Sequence, residues 1–172
     1  MNIELKKIQT DELDKFRREM QLSFEQGVLD RFGDITAAPV PPLNDVDKAL
    51  TDSTCDVFFI IADGIPSGGA IIRCGKNGRY SLDLFFVFPK FLNKKIGFAA
   101  WQTIEKYYSD AKIWETHTPY FDRRNIHFYL NKCQFKIVEF FNKFHHEAND
   151  ISDEFKDPES AGFFRFEKVI KK

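Results

Sequence analysis

Between residues 79 and 108 the chain reads RYSLDLFFVFPKFLNKKIGFAAWQTIEKYY, and this stretch restricts what the rest can build. Residues 82–88 are a β-type apolar run. Pro89 stops the run, because proline cannot donate to a strand ladder. A basic loop follows, carrying Lys90, Lys94 and Lys95. Past Gly97, the apolar residues Phe98, Ala99, Trp101, Ile104 and Tyr108 recur at helical spacing. Strand, tight loop and helix in this order gather unpaired backbone N–H groups and the positive end of a helix dipole, which suits an anion.

The flanking sequence supplies the partners such a unit needs. Ile3, Leu5 and Ile8 suggest a short edge strand over 2–8. Thr10 precedes Asp11 and Glu12, and Leu13, Phe16, Met20 and Phe24 follow at helical spacing, so a helix capped by Thr10 and fading near Gly27 is expected. Residues 31–44 hold Gly33, Pro39, Pro41 and Pro42 and read as a loop, with Asn44 capping a short helix over 45–50. Two β-rich runs, 56–62 and 69–74, joined by a turn over 63–68, form a hairpin. Lys76-Asn77-Gly78 turns the chain into the strand over 79–88. Beyond the central helix, 112–118 reads as a strand, with Ile113 and Glu115 facing away from Trp114 and Thr116. A helix over 122–132 capped by Asp122 follows, then strands over 135–144 and 162–170 that can lie antiparallel. The order β, α, α, β, β, β, α, β, α, β, β predicts a mixed α+β sheet flanked by helices.

At 172 residues this is one domain by size, 1–172, and a chain 43% hydrophobic and 30% charged is ordinary globular protein. The twenty phenylalanines are spread through the apolar runs, which makes them core filling. A net charge of −1 gives no electrostatic case for nucleic acid or an anionic membrane surface. No apolar run approaches the ~20 residues that span a bilayer. The first residues, MNIELKKIQTDELDKF, lack the apolar core of a signal peptide, so a cytoplasmic protein is expected. Cys55, Cys74 and Cys133 have no metal-ligand spacing and read as small buried apolar residues. No metal is expected.

A second block, RNIHFYLNKCQF over 124–135, completes a pattern. The two blocks together resemble the acetyl-CoA-binding core of the GNAT N-acetyltransferases. In that family a strand ending in an aliphatic residue and proline leads into Gln/Arg-x-x-Gly-x-Gly/Ala at a helix start. Here Leu92 stands where Gln or Arg is usual, Lys95 on the first glycine and Gly97 on the second. Asn125, Phe128, Tyr129 and Phe135 match the family's second block, and Gln134 stands where glycine is usual. The resemblance covers nearly the whole chain. It implies a GNAT-like acyl-CoA N-acyltransferase fold, whose central sheet is split by a V-shaped cofactor cleft between the strands over 79–88 and 112–118.

The resemblance also implies an activity: direct transfer of acetyl from acetyl-CoA to a small-molecule or peptide primary amine. Its diphosphate would rest on the backbone of Leu92, Asn93, Lys94, Lys95, Ile96, Gly97 and Phe98, with Lys90, Lys94 and Lys95 adding positive charge. Lys95, lacking glycine's freedom, must enter the helix in an ordinary conformation or point outward. Phe86, Val87 and Phe88 would align the thioester, an N–H there, that of Val87, polarising its carbonyl. Asn125 would bond the pantetheine arm. Tyr129 would protonate the departing thiolate, since a phenol with an ordinary pKa near ~10 holds its proton at neutral pH. For the base, Asp83 shares the parity of Phe85 and Val87, while Glu115 and His117 share one face of the next strand. His117 has the useful titration range; deprotonation through water is the alternative. The loop over 147–159 carries Glu147, Asp150, Asp153, Glu154, Asp157 and Glu159, an acidic rim that would attract a cationic amine or simply be a solvated loop. Two competing readings are a non-catalytic acyl-CoA-binding or sensing domain, and an interaction module pairing as a homodimer through the strand over 135–144.

Overall fold

The computed structural model describes residues 1–33, 43–146 and 162–171. The elements are β1 (Ile3–Lys7), α1 (Leu13–Phe32), α2 (Leu43–Thr51), β2 (Cys55–Ala62), β3 (Ile65–Cys74), β4 (Arg79–Val87), α3 (Ile96–Tyr107), β5 (Ile113–Pro119), α4 (Arg123–His127), β6 (Lys136–Phe141) and β7 (Phe163–Val169). A π-helical turn, Phe128–Lys132, continues α4. The order of strands and helices is the one expected. Hydrogen bonding links the strands as β1-β2-β3-β4-β5-β7-β6. The β4–β5 pairing is parallel, whereas β1–β2, β2–β3, β5–β7 and β6–β7 are antiparallel, so the fold is α+β with a mixed sheet.

The described residues form two compact units, one of 1–75 with 82–110, the other of 76–81 with 111–172. In the first, α1 and α2 cover one face of the strands. Phe16 and Met20 of α1 and Val46, Ala49 and Leu50 of α2 share a core with Val57, Phe59, Ile71, Phe86 and Phe88. Phe16 meets Phe59 and Phe86 edge-on, each at 5.5 Å between ring centres. Gly69 leaves room for this cluster, because a Cβ there would sit 2.7 Å from the Phe86 ring. The opposite face meets α3, where Phe58 packs on Tyr107. At the end of α3, the Tyr108 hydroxyl donates to Asp56 at 2.8 Å.

In the second unit β5 alternates strictly. Trp114, Thr116 and Thr118 are buried and their neighbours half-buried, the period-2 signature read from the sequence. Behind the buried face, Tyr129, Phe135 and Phe166 close a core. On the other face, Arg165 bonds Glu115 at 3.0 Å and Glu139 at 2.9 Å. Arg79 reaches Glu115 and Glu167 at 3.4 and 3.3 Å.

Several boundaries differ from the sequence reading, each for a local reason. Thr10 opens a 3-10 turn (Thr10–Glu12) rather than capping a helix, and the Glu12 carboxylate turns back to accept the Gln9 N–H at 3.2 Å. α1 runs through Gly27 and stops at Gly33, which takes φ 72° and donates to the Leu29 carbonyl. Asn44 lies inside α2 and does not cap it. The β2–β3 turn is two residues, Asp63 and Gly64, both at positive φ, and a register shift between Ile60 and Ile61 lets β3 begin at Ile65. β6 ends at Phe141, after which Asn142 and His145 bridge a tight turn. Residues 34–42 of the proline-rich loop and the acidic stretch over 147–159 lie outside the described residues.

Candidate active site

The residues expected to align a thioester end β4. Phe86 and Phe88 point into the first unit's aromatic core, where Phe86 faces Phe16 and Phe24. Val87, of opposite parity, is half-buried. The Phe88 N–H donates to the Ser67 carbonyl at 2.9 Å. Here β3 passes so close to β4 that a Cβ on Gly68 would fall on the Phe86 carbonyl oxygen and lie 3.0 Å from Val87 Cα. Sequence reasoning assigned Gly68 to a turn. Its real task is this close backbone approach, and the adjacent Gly68-Gly69 pair was the available signal.

A 3-10 turn, Pro89–Phe91, and an extended Leu92 carry the chain to α3. Asn93 and Lys95 then take φ 64° and 63°. Lys95 thus does not enter in the ordinary helical conformation: its side chain is exposed, pointing outward, and its backbone is left-handed, which costs a non-glycine residue about 1–2 kcal/mol. The first helical bond runs from the Ala99 N–H to the Lys95 carbonyl at 3.1 Å. The N–H groups of Ile96, Gly97 and Phe98 therefore belong to the first turn, which an α-helix leaves without internal partners. Ile96 is buried and anchors this turn, while Asn93, Lys94 and Lys95 are exposed. A phosphate group fits what is present: first-turn amides, a helix dipole and nearby cations.

In the second unit the Asp122 carboxylate accepts the Asn125 N–H at 3.0 Å, so Asp122 caps α4 as the sequence indicated. Asn125 sits half-buried in the first turn. Tyr129 lies in the π-helical turn, a distortion frequent at functional sites. It is 5% exposed, with Phe128, Phe135 and Phe166 rings 5.4 to 5.6 Å away. Burial pushes its phenol pKa well up, opposed in part by a hydrogen bond with Thr116, so the phenol keeps its proton at neutral pH. Thr116 had no signal in the sequence as a partner of Tyr129. After Cys133, Gln134 takes φ 64°, and the Phe135 N–H closes on the Tyr129 carbonyl at 2.9 Å, a helix ending that ordinarily uses glycine.

The base candidates are differently placed. Asp83 is exposed on β4 and accepts from Arg73 Nε at 2.8 Å, and Arg73 also grips Asp52. His117 is half-buried on β5, its ring roughly parallel to Phe141 at 6.0 Å. Glu115 is held by Arg79 and Arg165. Asp83, Phe86, Val87, Phe88 and the residues from Leu92 to Phe98 thus belong to the first unit, and His117, Asn125 and Tyr129 to the second. Among the described residues no three His, Cys, Asp or Glu side chains group as a metal site.

Of the described residues, Lys95 and Gln134 are alone in combining positive φ with a side chain other than glycine, asparagine or aspartate. Both stand where the resembled motif has glycine. At both positions a non-glycine residue takes a backbone conformation that favours glycine.

Comparison with known proteins bears on the fold. No family model matches the chain. The uncharacterized protein YrkN of Bacillus subtilis is 40% identical over 166 residues, spanning 94% of this chain and 90% of its own length. An acetyltransferase of Thermus thermophilus superposes with TM-score 0.69 at 11% identity, covering 99% of this chain and 98% of that one. A Bacillus subtilis acetyltransferase in complex with CoA gives TM-score 0.65 at 17% identity over 99% of each chain. At these identities the structures establish the acetyltransferase fold.

Proposed function

Because the chain belongs to one family with YrkN and has the fold of the GNAT acetyltransferases, we propose that it is an acetyl-CoA-dependent N-acetyltransferase acting on a primary amine. The observation that carries this reading is Lys95, which holds glycine's backbone conformation at the mouth of α3 although its side chain makes that costly. Strain of this kind persists where the surrounding geometry has a use, and here it presents the amides of Ile96, Gly97 and Phe98 to a diphosphate.

The chemistry then divides among named groups. The amine nitrogen attacks the thioester carbonyl, the C–N bond forms, and the C–S bond breaks. The Val87 N–H supports the oxyanion, since the Phe88 N–H is given to Ser67. Asn125 orients the pantetheine arm. The thiolate takes its proton from Tyr129, whose burial keeps the phenol protonated. The amine's proton goes to His117 or to water; Asp83 is less suited, with its carboxylate on Arg73. The three free thiols fit a reducing compartment, the cytoplasm.

Thermal unfolding with acetyl-CoA, CoA and buffer tests the reading first. Ligand at about 100 times its Kd adds ~2.7 kcal/mol, a plain shift in Tm. No shift at millimolar ligand overturns it. Thiol release with a panel of primary amines then tests transfer, and Tyr129→Phe should lower kcat about 100-fold while leaving CoA affinity unchanged. One observation favours a second reading, a domain that binds acyl-CoA without turnover: the Tyr129 ring is enclosed by three phenylalanines and hydrogen-bonded to Thr116. Tight binding with no thiol release for any amine would establish that reading.

A further inference from the structure

The sheet ends in β1 on one side and in β6 on the other, and its two edges are finished differently. An edge strand presents a row of backbone N–H and C=O groups that a further strand can pair with. β1 is guarded by charge: Glu4, Lys6 and Lys7 are exposed, Ile3 and Leu5 are half-buried, and the two lysines are bonded to Glu12 and Asp56. β6 is not guarded in this way. Ile137, Val138 and Phe140 are 39, 47 and 40% exposed, half of a six-residue strand. Phe140 is fixed in that position, its ring 4.8 Å from that of Phe164 and so close over Gly162 that a Cβ on the glycine would lie 2.9 Å from it. Among the described residues β6 pairs with β7 alone.

The pattern along this edge is complementary to itself. β6 carries an extra residue between Ile137, opposite Phe166, and Glu139, opposite Arg165. Without it Lys136 and Glu139, three positions apart, would lie on opposite faces of the sheet; with it both share the face of Glu167 and Arg165. Arg165 and His145 hold Glu139 at 2.9 and 2.7 Å, and a carboxylate so held still has acceptor capacity for an ammonium group. Lys136 is exposed. Two copies approaching antiparallel about a two-fold axis between Ile137 and Val138 bring Lys136 of each opposite Glu139 of the other, and Ile137 opposite Val138. One short run thus supplies both halves of an ion pair, both halves of an apolar pair and a strand for the open edge. An edge of one charge sign would have repelled its own copy and suited a different partner. We propose that β6 pairs with β6 of a second copy, making the protein a two-fold dimer with one sheet continuous across the interface.

Sedimentation velocity of the full chain over about a hundredfold range of concentration tests this. The wild type should run as a dimer that dissociates on dilution. Val138→Lys, which sets an ammonium group opposite Ile137, should weaken association about 100-fold. K136E, which sets like charges opposite each other at Glu139, should weaken it about tenfold. Both positions are exposed, so each variant should keep the wild-type circular dichroism. Hydrogen exchange of the amides of residues 136–140 should slow as wild-type concentration rises and should not in Val138→Lys. A wild type that stays monomeric at the highest concentration overturns the proposal. So does a dimer that neither variant weakens, since its interface would lie on another face. The proposal stands apart from the acetyl-CoA reading, and Val138→Lys should bind coenzyme A as the wild type does.

Discussion

β2 and β5 are built on opposite plans. In β2 four consecutive residues, Val57, Phe58, Phe59 and Ile60, are buried, because α1 and α2 cover one face and α3 the other. In β5 burial alternates, with Trp114, Thr116 and Thr118 inside and Glu115 and His117 toward a face of arginines and carboxylates. A strand covered on both sides has its geometry defended by packing; a strand covered on one side leaves the other to charge pairs, which are weaker and respond to pH. The segment proposed to align the thioester is packed on the face of Phe86 and Phe88 and half-buried at Val87. The acid candidate Tyr129 sits on the packed side of the second kind, and the base candidate His117 on its charged side.

The sharpest break in that contrast comes from the packed region. Phe16→Ala should cost about 3–5 kcal/mol, because it empties the centre of an aromatic cluster that cannot collapse. Gly68→Ala should cost about 3 kcal/mol or more, since the new methyl meets backbone at Phe86 and Val87 and no flexible side chain can give way. Urea unfolding measures both. A loss under 1 kcal/mol for Gly68→Ala would mean that β3 and β4 do not approach as described.

The charged face should yield less. Arg165→Met removes hydrogen bonds to Glu115 and Glu139 and leaves their carboxylates half-buried, for an expected loss of about 1–2 kcal/mol at pH 7. Its pH dependence has a definite sign. Hydrogen bonds from His145 and then Arg165 hold Glu139 below its ordinary value of 4.5. The unfolded state therefore binds more protons in the window below 4.5, so this contribution is present above that pH and is lost as pH falls through the folded value. Glu139→Gln should flatten the acid limb of a stability profile taken between pH 3 and 6. An unchanged limb would show that the pairing is not maintained in solution.

The same contrast explains how much was legible in the sequence. Strand and helix order, the Pro89 stop, the Asp122 cap and the alternation in β5 all follow from side-chain type and period, which are local. Gly27 misled because packing of Phe16, Met20 and Phe24 carries α1 past a residue that costs a helix only ~1 kcal/mol. The hairpin turn reads longer in sequence than it is because Ile65, Pro66 and Ser67 lack a β-type pattern, yet Ile65 and Pro66 pair with β2 across the two-residue turn and the Ser67 carbonyl accepts from the Phe88 N–H. Arg73 with Asp83 and Thr116 with Tyr129 are contacts between residues about ten apart or more, and no periodicity encodes them. Of the candidate site, the segments were legible and the partners of their side chains were not.

The smallest effect tests the backbone that both regions share. Lysine and glutamine do not advertise positive φ, so neither Lys95 nor Gln134 could be read as left-handed from its own identity. If each is held there at a cost of about 1–2 kcal/mol, glycine should recover part of it, less the ~0.5–1 kcal/mol that glycine's extra freedom adds to the unfolded chain. Lys95→Gly and Gln134→Gly should each raise stability by about 0.5–1 kcal/mol, and the double variant should show the sum, since the residues lie in separate units. Loss of stability at either position would place that residue in an ordinary conformation. At Lys95 that outcome would also remove the argument for an anion site at the start of α3, while at Gln134 it would touch only the helix ending beneath Tyr129.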